Sequence, residues 1–557
     1  MSSSAVNPYT DPPNLFAAFE LIAMRQPDHP ALVGNGGKGP KYSYAETLDL
    51  ARRLASGLVR EGTAEGPGIG LIGENCPQWS IAYLSILAAG GTVIPIDANL
   101  KPEEIGHIVH HSGLRATFTS GLFERQLKEL RDDLAIFSFD ESSPQSWTRL
   151  MPDNPPKSQR PPAEVASVIY TSGTTGAPKA VELTHRNILA NLEGFSRMLR
   201  IDSTDVALSL LPLHHTFEAT CGFLTPLTSG ATIVYARSMK SKEVREDIAH
   251  NRVTIMIGVP LLYEKMYHSF NRKLKAAPWP RRWMFHSLYG LSRLGWAVGF
   301  RWGRVLFRSV RDRAGLGSVR MFFSGAAALP RKMARFFNLI GLDLLEGYGM
   351  TETSPVVSVN RPGSVRFGSV GPPLDNVQVR IHNPDPAGIG EITVRGDNIT
   401  RGYRDNPQET AALIVDGWLY TGDLGRLDKG HLWITGRRKN IIVSAAGKNI
   451  YPEELEEKLL ESDCVLEVVV FGRPKEGRQG EDVRAVIVPD MDQFAVAQGP
   501  EARPGPPDED HVTKAIAEVV HQVNERVASY KRIAAFDVRF EELEKTSTKK
   551  VKRFLYE

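Results

Sequence analysis

Short apolar runs alternate with stretches of helical periodicity along the N-terminal half of the chain. Residues 44–61 place apolar side chains at the three- and four-residue spacing of an amphipathic helix. Apolar runs at 68–73 and 92–96 follow, and each is too short for a second such helix. Runs of this kind are typical of strands that are buried on both faces of a parallel sheet. The alternation of helix and buried strand predicts an α/β fold.

The strand pattern continues and then changes its character. Further apolar runs, which we also predict as strands, lie at 167–170, 231–235, 253–257 and 319–324. From 377 to 435 the chain instead has short alternating strands separated by turns, as at 377–381, 390–395 and 431–434. This second pattern predicts a β-rich subdomain at about 365–435.

A separate α+β lobe is expected after about residue 438. It would contain a helix at 452–460 and strands at 465–471 and 483–488. Proline-rich stretches at 152–162 and 498–510 are predicted as a surface linker and a flexible excursion. We therefore divide the chain into an N-terminal domain, 1–437, and a C-terminal domain, 438–557.

Composition narrows the class of protein. The 557 residues include 67 basic and 64 acidic side chains, a formal net charge of +3, which does not favour nucleic-acid binding. The three cysteines, Cys76, Cys221 and Cys464, form neither a disulfide framework nor a CxxC metal motif. The most apolar window, 81–96, is too short for a membrane span and reads as a buried helix followed by a strand. The N-terminus does not resemble a secretory signal, so we expect a cytoplasmic protein.

One loop carries a clear chemical pattern. Residues 170–179 read YTSGTTGAPK and follow an apolar run. Glycines allow backbone N–H groups to approach phosphate oxygens, hydroxyls donate further hydrogen bonds, and Lys179 supplies a positive charge. The glycine spacing and the alanine after Lys179 exclude a Walker A loop. The loop therefore predicts a polyphosphate site of another kind.

This loop resembles the phosphate loop of the adenylate-forming superfamily, which includes acyl-CoA synthetases, luciferases and peptide-synthetase adenylation domains. Other segments resemble that superfamily in the expected order: LPLHHTF at 211–217, SGAAAL at 324–329, GYGMTET at 347–353, GEITVRG at 390–396, YTGD at 420–423, GRRK at 436–439, GKNIYPEE at 447–454 and KTSTKKV at 545–551. The resemblance implies an α/β N-terminal domain of parallel-sheet layers with a distorted β-barrel subdomain, followed by a small mobile α+β domain.

The resemblance also implies a reaction with two steps. A carboxylate attacks the α-phosphate of ATP-Mg²⁺ to give an acyl-adenylate and pyrophosphate, and the acyl group then passes to CoA. By the same resemblance, the ATP-binding residues are Thr171, Ser172, Gly173, Thr174, Thr175, Gly176, Lys179, Gly325, Ala326, Tyr348, Asp423 and Arg437. Tyr348 would contact adenine, whereas Asp423 and Arg437 would hold the ribose hydroxyls.

Catalytic roles follow from the resemblance as well. Glu352 would hold Mg²⁺, Thr351 would lie beside the phosphate, and His215 would close over the reacting carboxylate. Lys550 would bridge the carboxylate and the α-phosphate, and the sequence departs from the superfamily at the preceding position, where Lys549 replaces a common glycine. The remaining assignments are a hinge at Lys439, a thiol tunnel at Gly447 and Lys448, and an acyl pocket at Gly349.

The acid itself is less closely defined. Gly349 stands where short-chain members carry tryptophan, and 271–320 resembles the helical insertion of long-chain acyl-CoA synthetases. That segment has twelve Lys or Arg residues, one acidic residue, and eight aromatic residues. Peripheral contact with an anionic membrane and a solvated basic face over core aromatics both remain open. So do transfer of the acyl group to an acyl-carrier protein and a non-catalytic acyl- or nucleotide-binding role.

Overall fold

The computed structural model describes residues 7–10, 14–152, 161–171, 178–445, 447–474, 480–491, 493–494, 508–545 and 551–556. The helices in chain order are α1 Leu15–Arg25, α2 Tyr44–Arg60, α3 Pro77–Ala88, α4 Pro102–Ser112, α5 Glu124–Leu130, α6 His185–Leu199, α7 Thr225–Thr228, α8 Ser241–Asn251, α9 Pro260–Lys275, α10 Trp279–Ala297, α11 Gly303–Leu306, α12 Arg308–Arg313, α13 Arg331–Leu339, α14 Pro407–Leu413, α15 Pro452–Leu459 and α16 Glu509–Glu525.

The strands in chain order are β1 Pro30–Val33, β2 Lys41–Ser43, β3 Ile69–Ile72, β4 Val93–Ile96, β5 Ala116–Thr119, β6 Ala135–Ser138, β7 Val165–Thr171, β8 Lys179–Thr184, β9 Val206–Ser209, β10 Thr232–Tyr235, β11 Ile255–Gly258, β12 Met321–Ser324, β13 Asp343–Gly349, β14 Val356–Val359, β15 Gln378–His382, β16 Gly390–Arg395, β17 Gly402–Tyr403, β18 Ile414–Val415, β19 Trp418–Asp428, β20 His431–Arg437, β21 Ile442–Val443, β22 Asn449–Ile450, β23 Val465–Pro474, β24 Glu481–Pro489 and β25 Ala535–Val538.

Two sheets with long parallel stretches form the N-terminal part. Sheet 1 has the order β14-β13-β12-β11-β9-β10-β1-β2, and the strands from β13 to β1 run parallel. Sheet 2 has the order β17-β8-β7-β4-β3-β5-β6, and the strands from β7 to β6 run parallel. Antiparallel strands lie at both edges of sheet 1 and at one edge of sheet 2. Strands β3, β4 and β5 are buried at every residue, as helices on both faces of a parallel sheet require.

Helix α2 forms because its sequence supplies both a start and a buried face. Ser43 and Glu46 make a reciprocal capping box, in which each side chain accepts the backbone N–H of the other. Leu48, Leu54 and Leu58 lie on the buried face, at helical spacing. The helix predicted at 44–61 is confirmed, and the window 81–96 forms the end of α3 followed by β4.

Sheet 3 is the antiparallel, half-barrel part of the fold. It has the order β15-β16-β19-β18, and β20 pairs with β19. Exposed and half-buried residues alternate along the first four residues of β15, as expected for a strand with one solvated face. The β-rich pattern predicted from 377 onward is therefore present.

The C-terminal part has a hydrophobic core of its own. Buried side chains from β23, β24, α15 and α16 form one cluster that contains only residues after 441. Its contacts with the preceding part of the chain include polar pairs: Arg331 Nε lies 2.8 Å from a Glu457 oxygen, and Lys332 Nζ lies 3.3 Å from Asp463. The division at 437/438 and the mobility of this part remain predictions.

The segment 271–320 contains the end of α9 and the helices α10, α11 and α12, which lie beside α13. Ser292 Oγ donates to the carbonyl oxygen of Leu339 (2.6 Å), which ties α10 to α13. Arg301 and Arg304 donate to the two oxygens of Asp343, at 3.0 and 2.9 Å. Because the Asp343 side chain is nearly fully buried, these pairs anchor the segment to the start of β13. Within the described residues, no helix has the length and apolar character needed to span a bilayer.

The fold predicted from the sequence is confirmed as an α/β molecule with parallel-sheet layers, a half-barrel sheet and a C-terminal α+β part. The linker at 152–162 and the excursion at 498–510 lie mostly outside the described residues. Residues 509 and 510 begin α16 and are not part of a loop.

One buried carboxyl group makes the stability of this fold depend on pH. Glu218 begins the π-helix Glu218–Leu224, and its side chain is fully buried. Burial raises the pKa of Glu218 from 4.5 to about 8, although Ser209 and the backbone of Leu210 and Leu211 oppose the shift. The folded protein therefore holds this proton more tightly than the unfolded chain does.

We expect Glu218→Gln to weaken the decline in stability between pH 5 and pH 8. The stability contributed by the neutral carboxyl group is complete below its ordinary pKa and is lost as the pH rises toward 8, on the order of 1 kcal/mol for each pH unit. A glutamine cannot ionise, so the variant should unfold at a higher temperature than the wild type at pH 8.5. Thermal unfolding at pH 5.5, 7 and 8.5 measures the difference. Glu103→Gln on the exposed face of α4 is the control, and equal pH profiles for Glu218→Gln and wild type would contradict the prediction.

Candidate active site

A tyrosine, an aspartate and an arginine join sheet 1 to sheet 3. Asp423 on β19 and Arg437 on β20 are cross-strand partners, and Arg437 Nε lies 2.9 Å from Asp423 Oδ1. The hydroxyl of Tyr348, near the end of β13, donates to Asp423 Oδ2 at 2.8 Å. A carboxylate has about four lone-pair positions, so Asp423 can still accept hydrogen bonds from a ligand. The structure thus brings together the three residues predicted to bind adenosine.

Burial governs the ionisation of Tyr348. Burial, together with the negative charge of Asp423, raises the pKa of the Tyr348 hydroxyl well above its usual value. The hydroxyl therefore stays protonated and remains a donor to Asp423. This hydrogen bond holds the tyrosine ring at the carboxyl end of β13, where an adenine ring could stack against it.

A second cluster links Glu352 to Lys179. Glu352 lies in the 3₁₀ turn Thr351–Thr353 that follows β13 and is nearly fully buried. Tyr403 donates its hydroxyl to Glu352 Oε1 at 2.8 Å. Lys179 Nζ lies 5.1 Å from the centre of the Tyr403 ring and forms an ion pair with Glu409. The predicted metal ligand therefore contacts the hydroxyl of Tyr403, and the predicted phosphate-binding lysine lies over its ring.

The predicted phosphate loop lies between two described residues. Thr171 at the end of β7 and Lys179 at the start of β8 are cross-strand partners, and the Thr171 hydroxyl donates to the Lys179 carbonyl oxygen at 3.4 Å. Ser172, Gly173, Thr174, Thr175 and Gly176 lie outside the described residues. The ends of the loop emerge from sheet 2 next to Tyr403 and Glu409.

The turn that carries Glu352 is held by buried amides. Asn191 and Asn398 donate to the carbonyl oxygen of Thr353, at 3.2 and 3.0 Å. Thr351 lies in the same turn and is half-buried. A Cβ atom on Gly349 would lie 1.8 Å from the Pro355 carbonyl oxygen, so the backbone leaves no room for a side chain there. The acyl-pocket role of Gly349 stays a prediction, because backbone packing alone is enough to require glycine.

Gly325 and Ala326 follow β12, beside the end of β13. A Cβ atom on Gly325 would meet the ring of Phe217 at 2.9 Å. Ala326 has a φ of 69°, a left-handed conformation that is uncommon for a residue with a side chain. Both positions lie at the carboxyl edge of sheet 1, where ligands bind in open α/β sheets. Their predicted place beside adenine stays a prediction.

His215 lies in a cluster that the motif alone does not indicate. Its Nε2 is 3.1 Å from Nε2 of His214, and that same His214 nitrogen is 3.3 Å from Asp97 Oδ2. Asp97 directly follows β4 in sheet 2, whereas the histidines follow β9 in sheet 1. The cluster therefore joins the carboxyl edges of the two sheets.

The predicted C-terminal residues are only partly described. Lys439 lies in the 3₁₀ turn Arg438–Asn440, directly after β20. Gly447 has a φ of 67°, and Lys448 Nζ lies 4.6 Å from the centre of the Tyr530 ring. Lys550 lies outside the described residues, so its predicted contact with the reacting atoms stays a prediction.

Sequence reasoning missed Tyr403, Glu409 and Asp97. Tyr403 sits in a two-residue strand, and nothing in its local sequence separates it from a core tyrosine. Glu409 lies in the first turn of α14, a position that many helices fill with an acidic residue. Asp97 follows an apolar strand, which could have marked it as a residue at the carboxyl edge of sheet 2.

Comparisons with known proteins identify the family of the chain. The AMP-binding enzyme family model matches residues 19–404, and the AMP-binding enzyme C-terminal domain model matches 454–550. The peroxisomal long chain acyl-CoA synthetase 7 of Arabidopsis thaliana is 30% identical over 79% of this chain and 68% of its own length. The indoleacetate–CoA ligase of Aromatoleum aromaticum is 30% identical over 80% of this chain and 83% of its own length.

Solved structures show the same fold. The ATP-bound crystal structure of MatB from Rhodopseudomonas palustris is 24% identical, has a TM-score of 0.78, and the match covers 97% of each chain. The family model spans most of the N-terminal part, and relatives at 30% identity are named as CoA ligases or acyl-CoA synthetases. The chain therefore belongs to the AMP-binding enzyme family of adenylate-forming ligases.

Proposed function

We propose that the protein is an AMP-forming acid–thiol ligase that activates a medium- or long-chain fatty acid with ATP-Mg²⁺ and transfers the acyl group to CoA. One observation carries the proposal. The Glu352–Tyr403–Lys179 cluster and the Tyr348–Asp423–Arg437 cluster bring residues from distant segments to the end of β13 and to the Thr351–Thr353 turn that follows it. One cluster suits a metal-bound triphosphate and the other suits a nucleoside.

The donor set at Glu352 suits Mg²⁺. This ion prefers oxygen ligands and usually binds one or two carboxylates together with substrate phosphates and water. Tyr403 orients the Glu352 carboxylate through Oε1. When bound, Mg²⁺ would offset the negative charge of the triphosphate. Lys179 would leave Glu409 and bind the β- and γ-phosphates, and because that pair is partly exposed, the exchange costs little.

The first step joins the acid to AMP. A carboxylate oxygen attacks the α-phosphorus, the bond from that phosphorus to the bridging oxygen of the β-phosphate breaks, and pyrophosphate leaves. Thr351, His215 and Lys550 are the residues that we propose to offset the charge on the two reacting anions. Asp423, Arg437 and Tyr348 would hold the adenosine so that the α-phosphate meets the carboxylate in a fixed orientation.

The second step forms the thioester. The CoA thiolate attacks the carbonyl carbon of the acyl-adenylate, the bond between that carbon and the phosphate oxygen breaks, and AMP leaves. Intact Lys179, Glu352, Asp423 and Arg437 favour a catalyst over a binding protein that has lost activity. The acceptor thiol could also be the pantetheine of an acyl-carrier protein, because the first step is the same for both.

Long acyl chains are favoured by similarity. The Arabidopsis relative is named as a long chain acyl-CoA synthetase, although a relative of similar identity is named as an indoleacetate–CoA ligase. An aryl acid is therefore the competing substrate class. Each buried methylene contributes about 0.8 kcal/mol, so a pocket that fits a long chain should reject acetate strongly.

Release of AMP across a panel of acids tests this function. We expect kcat/KM with CoA to be at least about tenfold higher for a C12 to C18 fatty acid than for acetate or an aryl acid. Glu352→Gln should lower it at least about a hundredfold, since it removes a charge that would hold the metal. Glu103→Gln on the surface of α4 is the matched control.

The outcomes of this panel separate the alternatives. Faster acyl transfer to a pantetheinylated carrier protein than to CoA would contradict the acceptor that we propose. Absence of acid-dependent AMP release with every acid would support a non-catalytic role instead. A preference for aryl acids would leave the ligase reaction in place and overturn the fatty-acid assignment.

Rotation of the C-terminal part between the two steps is the role that we propose for Lys439. The residue lies between β20 of sheet 3 and β21, the first strand of the C-terminal core. Contacts of that core with α13 include the exposed ion pairs of Arg331 and Lys332, which can be exchanged at low cost. A hinge at this position would let one site serve both reactions.

Lys439→Pro should separate the two steps, because proline fixes φ at the hinge. We expect acid-dependent pyrophosphate exchange to stay within about threefold of wild type and thioester formation to fall at least about tenfold. The two reactions are measured separately on the same preparation. Lys439→Ala, which removes the side chain but keeps backbone freedom, is the control. Equal losses in both reactions would rule out the hinge.

We also propose that the outward surface of α10 and α11 rests on an anionic membrane. Large apolar side chains on this surface are 59–79% exposed: Trp279, Trp283, Leu294, Phe300 and Val305. Other aromatic residues of the segment, including Phe285 and Phe307, are buried in the core. Basic residues of 271–320 outnumber acidic residues twelve to one, and Arg282 and Arg293 are exposed on α10 beside these apolar side chains in the sequence. Exposed apolar side chains on a segment rich in basic residues match the chemistry of an anionic bilayer surface.

Vesicle flotation tests this membrane surface. The triple change Trp279→Ser, Trp283→Ser and Leu294→Ser should reduce binding to phosphatidylglycerol-containing vesicles at least about fivefold, because it removes the side chains that enter the interface. Activity on a short soluble acid should stay unchanged. Met24→Ser with Leu122→Ser removes exposed apolar side chains elsewhere and serves as the matched control.

Charge is tested on the same vesicles. Arg282→Glu with Arg293→Glu should weaken binding, and pure phosphatidylcholine vesicles should bind poorly. Arg301 and Arg304 are unsuitable for this purpose because they hold the buried Asp343. Equal binding of wild type and the triple variant would rule out the proposal. The proposal would also be ruled out if the triple variant lost a dimer of the protein but still bound vesicles.

A further inference from the structure

Three ligand atoms from two sheets converge near His215. Asp97, His214 and His215 each offer one ligand atom, and these three atoms lie within 4.8 Å of one another. The distance between the two histidine nitrogens is 3.1 Å, and the distance from His214 Nε2 to Asp97 Oδ2 is 3.3 Å. Asp97 and His214 are buried, and His215 is half-buried.

The surrounding residues hold this arrangement in place. Asp97 Oδ1 accepts hydrogen bonds from the backbone N–H and the side-chain amide of Asn99, at 2.8 and 3.0 Å. Its other oxygen is thereby turned toward His214. Asn75 fixes the histidine loop, since it accepts from the Leu213 N–H (3.0 Å) and donates to the Leu211 carbonyl oxygen (2.6 Å). Neighbouring hydrogen bonds therefore hold both the Asp97 side chain and the loop that carries the two histidines.

Two spacings in this cluster, 3.1 and 3.3 Å, match those between neighbouring ligand atoms of a small cation. With bonds of about 2.0–2.1 Å, neighbouring ligand atoms around tetrahedral zinc are about 3.3 Å apart. His214 Nε2 faces both of the other atoms, and one ring nitrogen carries either one hydrogen or one lone pair. It cannot form separate linear hydrogen bonds to Asp97 and His215. A cation at the common point would use a lone pair from all three.

We propose that Asp97, His214 and His215 form a binding site for a divalent transition-metal ion such as Zn²⁺. Two imidazoles and one carboxylate select this class of ion, whereas Mg²⁺ prefers oxygen ligands alone. The site is therefore distinct from the Mg²⁺ position that we propose at Glu352. Three protein ligands leave a fourth position open to water or another ligand.

Binding of Zn²⁺ would regulate the reaction, a consequence that rests on the proposed function. His215 is the residue that we propose to close over the reacting carboxylate. When its Nε2 is bound to a metal, the imidazole cannot reach that carboxylate. Zn²⁺ at this site therefore inhibits acyl-adenylate formation.

Titration of the metal-free full-length protein with Zn²⁺ alone tests the site. The experiment uses calorimetry without ATP or acid, so its result does not depend on whether the ligase function is right. We expect one equivalent to bind through this site, and His214→Ala to weaken it at least about tenfold. Asp97→Asn keeps the shape of the side chain, should weaken binding to a similar extent, and serves if His214→Ala does not fold.

The matched control addresses another pair of histidines. His107 and His111 lie one turn apart on the exposed face of α4 and could hold zinc adventitiously. His107→Ala should leave the titration unchanged. Binding that survives Asp97→Asn and His214→Ala, or that is lost only in His107→Ala, would overturn the proposal, as would no binding to the wild type.

Discussion

The candidate active site depends on how the chain leaves β13. The carbonyl oxygen of Pro355 occupies the space where a side chain at position 349 would lie, so only glycine lets β13 turn at this point. Tyr348, directly before Gly349, donates a hydrogen bond to Asp423 on sheet 3. Glu352, three residues after Gly349, accepts one from Tyr403 at the edge of sheet 2. The same short segment thus contributes to both clusters, the one that we propose for the nucleoside and the one that we propose for the metal.

Much of this arrangement can be predicted from sequence, because local patterns carry it. The strands β3 and β4 are continuous apolar runs, and α2 has both a capping box and an apolar face. Site residues such as Lys179 and Asp423 stand in motifs with a fixed spacing, so resemblance assigns their roles without any knowledge of their neighbours. For the residues that follow parallel strands, such as Tyr348 and Glu352 at the end of β13, the position also follows from the sheet, because ligand-binding loops lie at its carboxyl edge.

Other contacts could not be predicted, because their partners are far apart in the sequence and have no local pattern. Tyr403 contacts Glu352 from a distance of 51 residues, in a two-residue strand. Asp97 follows β4 and His214 follows β9, and these strands belong to different sheets. The two side chains meet only because the folded chain brings the ends of those strands together. In 271–320, composition could not tell which arginines face solvent. Arg301 and Arg304 bind the buried Asp343, and only the fold separates them from the solvated basic residues.

The charges of the candidate site are paired in two different ways, and the difference bears on how ATP would enter. Asp423 is buried, and it bonds both Tyr348 and Arg437. Breaking that set would leave a buried charge without partners, so it should persist when a ribose binds. Lys179 and Glu409 form a partly exposed pair, whose net contribution to stability is small. A triphosphate can therefore take Lys179 from Glu409 while the nucleoside cluster stays intact. The residues that would bind adenosine are therefore already held in place, whereas the lysine that would bind the triphosphate can exchange its partner.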